Sequence, residues 1–298
     1  MKQFRIIINK FVRQTMLGIA VLSLLLLVVI GLTLLVKALP VIKEHSLWAL
    51  LTDSSWKPFK GDFGFLPFVL STLHVSIIAI IIALPVSLLT AIYLNTFASK
   101  TIRHFFEPAI DLLSGIPPVI YGVWGTLTIV PFIADTLAPH FVDYSSGYSV
   151  LAGGITLSVM IIPLLISVLI ELFRSVPDEI IHASLSLGAT KWQTVKKVIL
   201  RKSFPGIIAA VVLAVSRAFG ETIAVLMVCG NMAIIPKSIF DACYPLPALI
   251  ANNYGEMLSM PNYESALMLG ALLLFMIIVF FNGISRLTLY HIEKRFQM

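Results

Sequence analysis

Residues 204–230 read FPGIIAAVVLAVSRAFGETIAVLMVCG. A bilayer core about 30 Å thick is crossed by a helix of ~20 mostly apolar residues. This run is long enough, yet it carries Arg217 and Glu221. Charges at such depth are costly unless they face a bundle interior or an aqueous cavity and find partners. Helical i,i+4 spacing puts the two on one face within reach of each other. Two readings stay open. The pair locks this span to its neighbours, or it lines a substrate path. On the second reading the guanidinium fork holds an anionic group through two parallel hydrogen bonds. Glu221 then neutralises Arg217 when the path is empty, and Thr222 lies beside them.

The rest of the chain supports a membrane setting. Of 298 residues, 58% are apolar and only 12% are Asp, Glu, Lys or Arg. Mean hydropathy is +0.98. So few charges cannot cover a water-soluble surface, which excludes an ordinary soluble enzyme and a disordered chain. Five further runs are long enough to span: about Met16 to Val36, Phe65 to Asn95, Ala109 to Ile133, Tyr148 to Phe173, and Ser265 to Leu287. None alternates as a barrel strand does, so the expected fold is all-α with six transmembrane helices. The first run is too long for a signal peptide and lacks a small-x-small cleavage site after it, so it is read as an uncleaved span.

Basic residues orient the spans. With the N-terminus inside, fifteen Lys and Arg fall in inner segments, five in outer segments, and Arg217 completes the 21. That bias places both termini in the cytoplasm, and it ties the net positive charge to a lipid bilayer rather than to nucleic acid. Cys229 and Cys243 are the only cysteines, too few for a disulfide scaffold or a Cys-built metal site. Cys229 is read as a buried thiol among apolar neighbours.

Three connections are long. Lys37 to Gly64 carries Trp48, Trp56 and four lysines, an interfacial belt or a docking surface for an outer partner. Asn231 to Glu264, with four prolines, is read as a stiff irregular loop. The third, Arg174 to Ser203, lies inside and reads RSVPDEIIHASLSLGATKWQTVKKVILRKS. Asp178 and Glu179 follow Pro177 as first-turn carboxylates. Apolar residues then recur at helical spacing on either side of Gly188, giving two short amphipathic helices hinged there. Such a pair lies on lipid or docks into a protein groove, and its mixed charge favours the groove. Among other polar residues, His74 near the outer end of the second span is read as an interfacial histidine. Gly115, Pro117 and Pro118 are expected to kink the third span near a cavity.

The hinged segment resembles the coupling loop of ABC importer permeases, whose glycine falls on Gly188 within Leu187-Gly188-Ala189-Thr190. The loop's usual Glu-Ala-Ala stands here as His182-Ala183-Ser184, and its usual Leu-Pro as Leu200-Arg201. Two further blocks narrow the likeness. Ser114 to Gly125, SGIPPVIYGVWG, and Arg217 to Val225, RAFGETIAV, are similar to blocks of PstC-type phosphate permeases. The resemblance covers about residues 65–290. It implies an ABC importer type I permease architecture, with ATPase coupling through Ala183, Gly188, Ala189 and Trp192. It also implies a second, PstA-like permease subunit, a dimeric cytoplasmic ATPase and an extracytoplasmic phosphate-binding protein.

No Gly-Lys occurs anywhere, so the chain cannot cradle ATP in a P-loop, and any ATP is used by a partner subunit. No cofactor or metal site is expected in this chain. No chain of Asp, Glu and His crosses several spans as a proton relay would. The expected function is therefore the permease subunit of an ATP-driven phosphate importer in a bacterial inner membrane. A molybdate or tungstate permease is the nearest alternative, then a gradient-driven secondary transporter. The expected organisation is residues 1–64 as tail, first span and outer loop, 65–290 as the permease domain with its coupling loop at 174–203, and 291–298 as a cytoplasmic tail.

Overall fold

A computed structural model describes residues 2–255 and 261–296, with side chains placed for 9–255 and 262–287. In chain order the helices are α1 (Lys2–Glu44), α2 (Leu47–Thr52), α3 (Leu66–Ile92), α4 (Lys100–Ser114), α5 (Pro118–Trp124), α6 (Val130–Phe132), α7 (Val150–Arg174), α8 (Asp178–Ser186), α9 (Lys191–Thr194), α10 (Leu200–Gly220), α11 (Ile223–Val228), α12 (Leu246–Asn253) and α13 (Pro261–Phe296). A two-stranded hairpin, β1 (Trp56–Lys57) with β2 (Asp62–Phe63), lies between α2 and α3. Among the described residues six helical segments are long and apolar enough to span: Asn9–Glu44, Leu66–Phe97, Pro118–His140, Val150–Arg174, Lys191–Gly220 and Asn262–Leu287.

The parallel pair α3–α7 forms the centre, because small residues let the two backbones approach. Gly153 leaves no room for a Cβ, which would sit 2.6 Å from Cys229 Sγ and 3.1 Å from Val75. Ala79, Ala83, Leu157, Ile161 and Leu165 complete a closed interface. Helix α10 packs on α7 and α3, and α13 on α10 and α1. Helix α1 packs chiefly on α13, leaving most of its described length exposed. Near its outer end Lys37 Nζ pairs with Glu264 at 2.7 Å, and Val41 N donates to Ser265 Oγ at 3.0 Å.

Aromatic packing organises the side opposite the termini. Trp56 sits edge-on to Phe68 at 4.9 Å and to Phe65 at 5.3 Å, and Phe68 meets Tyr244 at 5.4 Å. The two tryptophans of the 37–64 connection therefore differ: Trp56 is packed in this cluster, whereas Trp48 is 75% exposed. The stretch Asn231 to Glu264 departs from the expected plain loop, since Leu246–Asn253 is a helix with Leu246, Pro247, Ala248 and Leu249 buried. It is pinned by Ser71 and Thr72, which accept from Tyr244 N (3.2 Å) and Leu246 N (2.9 Å). Burial lifts the Tyr244 hydroxyl above the ordinary phenol range, and the amides of Asn252 and Asn253 that donate to it pull the other way. Residues 256–260 of this stretch lie outside the described residues.

Two spans differ from the continuous helices expected. The third does not run unbroken from Ala109. Helix α4 ends at Ser114, and Pro117, extended at φ −60°, ψ 139°, opens α5. A proline disfavours α geometry in the residue before it, so the Pro117-Pro118 pair makes a full break rather than a kink. The fifth begins at Lys191 instead of Phe204, because α9 passes through a π-helical turn, Val195–Ile199, into α10. The second coupling helix is thus the start of a span and not a separate piece. At its far end that span stops at Gly220, and Glu221 is extended at φ −73°, ψ 125°.

Candidate functional site

The depth of the two breaks follows from α7, which crosses the whole bundle. Ser167, in the terminal-side third of α7, donates to Asp111 Oδ1 of α4 at 3.1 Å. In its outer half, Thr156 Oγ1 lies 2.6 Å from where Gly125 would carry a Cβ. The break at Gly115–Pro117 falls between those levels, opposite the middle of α7. Helix α11 packs on α5 alongside, with Ala224 Cα 3.3 Å from a Cβ on Gly122 and Val228 at 2.9 Å from one on Gly125. The break at Gly220–Thr222, one turn before Ala224, therefore lies at the same depth. Two spans are discontinuous at one level of the bundle.

Glu221 is not on the helix that bears Arg217, which corrects the expected i,i+4 pair. Its Oε1 accepts from Ile223 N and Ala224 N, both at 3.2 Å, capping the start of α11. A carboxylate there satisfies N–H groups that a helix leaves open and complements the dipole. Thr222 Oγ1 donates back to Gly220 O at 3.2 Å. Thr222 also lines an open cavity of about 360 Å³ with Pro247, Ile250, Tyr254 and Leu274. Arg217 is half-buried and makes no hydrogen bond or ion pair among the described residues. Across the other break the Tyr121 hydroxyl donates to Leu113 O at 2.8 Å. Arg217, one turn before the Gly220–Thr222 break, thus stands near the depth of the Leu113–Pro118 break that Tyr121 spans, while Glu221 is committed to α11.

The sequence pattern did not assign Tyr121 a role, nor Asn231. Asn231 is the only non-glycine at positive φ among the described residues (53°), and its Nδ2 donates to Leu226 O at 2.8 Å. The available signal was its place after Gly230 at a span's end, since Asn tolerates left-handed geometry. Cys229 and Cys243 are free and buried, with Cys243 N donating to Cys229 O at 2.8 Å, as the reading of a buried thiol held. His74 is exposed on α3 and lines a small outer cavity with Pro236 and Lys237, apart from the breaks.

At the terminal side the segment around Gly188 has the hinged form read from the sequence. Gly188 is left-handed at φ 84°. Gly188 N donates to Leu185 O (3.0 Å) and Ala189 N to Ser184 O (3.3 Å), the two bonds of a Schellman ending. Thr190 then caps α9, its side chain accepting from Gln193 N while Gln193 Oε1 accepts from Thr190 N. Ser184 and Thr194 hydroxyls meet at 3.0 Å and hold the two arms together. The turn presents Leu187 (89% exposed) and Trp192 (52%) to solvent. Ala183 is exposed and Ala189 half-buried beside them. Apolar side chains displayed on a rigid turn mark an interaction surface.

Discontinuous helices meeting at mid-depth, beside an intramembrane arginine, define a polytopic α-helical membrane permease. The same fold occurs in a chain of the inward-facing MetNI methionine ABC transporter, with TM-score 0.55, 19% identity, and 74% of this chain and 91% of that one covered. It occurs again in the bacterial alginate ABC transporter, with TM-score 0.58, 15% identity, and coverage of 86% and 88%. In sequence, the chain is 40% identical to the probable ABC transporter permease protein YqgH of Bacillus subtilis over 69% of its length and just under two thirds (66%) of that protein. It is 31% identical to the phosphate transport system permease protein PstC of Haemophilus influenzae, over 96% of this chain and 95% of that one. PstC of Xylella fastidiosa is 32% identical over 82% and 79%. Residues 83–297 match the family described as binding-protein-dependent transport system inner membrane component, and the chain belongs to that family.

Proposed function

We propose that this chain is the transmembrane permease subunit of an ATP-driven phosphate importer and forms half of the translocation pathway. Arg217 is the observation that carries the reading. An arginine at mid-depth without an ion-pair partner is stable only where it faces water or a polar ligand. Its planar fork suits two oxygens of a tetrahedral anion. The likeness to PstC proteins over nearly the whole chain supports phosphate over molybdate or tungstate. A second, PstA-like subunit would close the pathway on the other side, where Thr222 and its cavity lie open. The turn at Gly188 would dock on a dimeric ATPase that binds the ATP, and an extracytoplasmic phosphate-binding protein would deliver the anion. This chain is then a pore-forming subunit and not an enzyme.

The same reading places the chain in a bacterial inner membrane with both termini and the Gly188 turn in the cytoplasm, supported by the bias in basic residues. The decisive experiment is uptake of labelled phosphate by proteoliposomes containing the reconstituted complex. Uptake should require ATP inside and the binding protein outside, and unlabelled phosphate should compete where sulfate and molybdate do not. Competition by molybdate as strong as by phosphate would overturn the substrate assignment.

A further inference from the structure

Helix α4 has one face tied to the end of the second span and to α7, and the ties lie between the hinged segment and the mid-membrane breaks. Arg103 donates from Nε to Leu94 O (3.0 Å) and from Nη2 to Asn95 O (2.7 Å), closing the carbonyl end of the second span just after α3. One turn on, Glu107 accepts from Arg174 Nη2 and lies 3.9 Å from Arg103 Nε. Another turn on, Asp111 accepts from Ser167. The residues stand at i, i+4 and i+8, so they form one stripe, while Phe105 and Leu112 on other faces are 72% and 76% exposed.

Arg174 is the last residue of α7, and the chain turns from it through Ser175, Val176 and Pro177 into α8. Behind α8 is a cavity of about 360 Å³, lined by Arg103, Arg174, Asp178, Lys191 and Thr194. Close packing therefore does not fix α8 to α4, and space exists for α8 to shift. At the root of the hinged segment, the charged contact with α4 is the one between Glu107 and Arg174. At its other end α4 stops at the Gly115–Pro117 break, which Tyr121 bridges and which lies at the depth of the break after Arg217.

We propose that Glu107, held between Arg103 and Arg174, is the positioning residue that couples the hinged cytoplasmic segment to the mid-membrane junction, with α4 as the strut. Movement of α8 displaces Arg174, Glu107 carries the displacement to α4, and α4 moves the break beside Arg217. The inference rests on the proposed function. Half-exposed ion pairs add little to stability, about 1 kcal/mol or less each. Loss of Glu107 should therefore spare the fold and disturb the linkage.

The test measures phosphate uptake and ATP hydrolysis in parallel in the reconstituted complex. Glu107→Ala should leave assembly and hydrolysis near wild type while phosphate moved per ATP falls about ten-fold, within the range of ordinary coupling energies. Glu107→Gln, which keeps the shape and one hydrogen bond, should fall less. The exchange Glu107→Arg with Arg174→Glu should recover part of the ratio that either single change loses. An unchanged ratio in Glu107→Ala, or a ratio that the exchange fails to raise above the single changes, would overturn the inference. A complex in which abundance, uptake and hydrolysis fall together would also overturn it, since that is the behaviour of a structural contact. Absence of phosphate uptake by the wild-type complex would instead sink the functional reading itself, and the coupling role with it.

Discussion

The pair α3–α7 and the helix α10 are built from similar apolar sequence and end differently. Helices α3 and α7 run through Pro85 and Pro163 without interruption. Helix α10 also runs through Pro205, yet it stops at Gly220, where no proline stands. A proline interrupts a helix only if the freed carbonyl and the displaced backbone find no accommodation. Between α3 and α7 a tight small-residue interface holds both backbones in place. At Gly220 the competing arrangement is better satisfied, because Glu221 caps a new helix. Of the two breaks in this bundle one falls at Pro117-Pro118 and the other at a new helix cap without proline, so a single proline is neither sufficient nor necessary for a break.

The contrast is broken most severely at Arg217. Two charge-assisted hydrogen bonds to an anion are worth about 3 kcal/mol or more, so Arg217→Ala should lower phosphate uptake ~100-fold. Because no described residue pairs with Arg217, the variant should remain as abundant in the membrane as wild type. Arg217→Lys keeps the charge without the fork and should retain weak uptake. Loss of the protein rather than of transport would favour a structural role.

The α3–α7 pair should respond in the opposite sense. A Cβ at Gly153 meets Cys229 Sγ at 2.6 Å. Gly153→Val should destabilise the detergent-solubilised protein by ~1–3 kcal/mol, the usual cost of overpacking. The change should appear as a lower midpoint in thermal unfolding, with the abundance of the complex falling alongside uptake. A variant of normal stability but no uptake would mean that this pair moves during transport.

At Gly188 the expected effect is smaller and more specific. Nothing lies within 4 Å of a Cβ there, so the strain of Gly188→Leu comes only from its φ of 84°, roughly 1–2 kcal/mol for a residue with a side chain. Phosphate-stimulated ATP hydrolysis should fall while insertion and binding of the outer protein persist. Unchanged hydrolysis and assembly would remove the coupling role. The mildest change is Glu221→Ala, which deletes the cap of α11 at a cost of about 1 kcal/mol. Hydrogen exchange should rise at Ile223 and Ala224 before any other part of the bundle. Equal protection in the variant would show that the cap is dispensable.

An ordering of spans was legible in the sequence because it depends on length and hydropathy alone. The Gly188 hinge was legible too, since one glycine between two helical periodicities leaves few alternatives. Trp56 and Trp48 were not separable, because both are aromatic residues flanked by lysines and only packing distinguishes them. Nor could periodicity place the end of α10, as Arg217 to Val225 keeps helical composition throughout.

Residue composition by itself determined a helical membrane protein with six spans, an intramembrane charge and a hinged polar-side segment. Bilayer thickness and the cost of unsatisfied backbone in lipid permit little else. Tertiary structure alone decided that Glu221 caps α11 instead of pairing with Arg217, and that two breaks share one depth. It also decided that Glu107 of α4 meets Arg174 at the root of the hinged segment. Each of these depends on which groups from distant segments come within hydrogen-bond reach, and sequence spacing does not encode that distance.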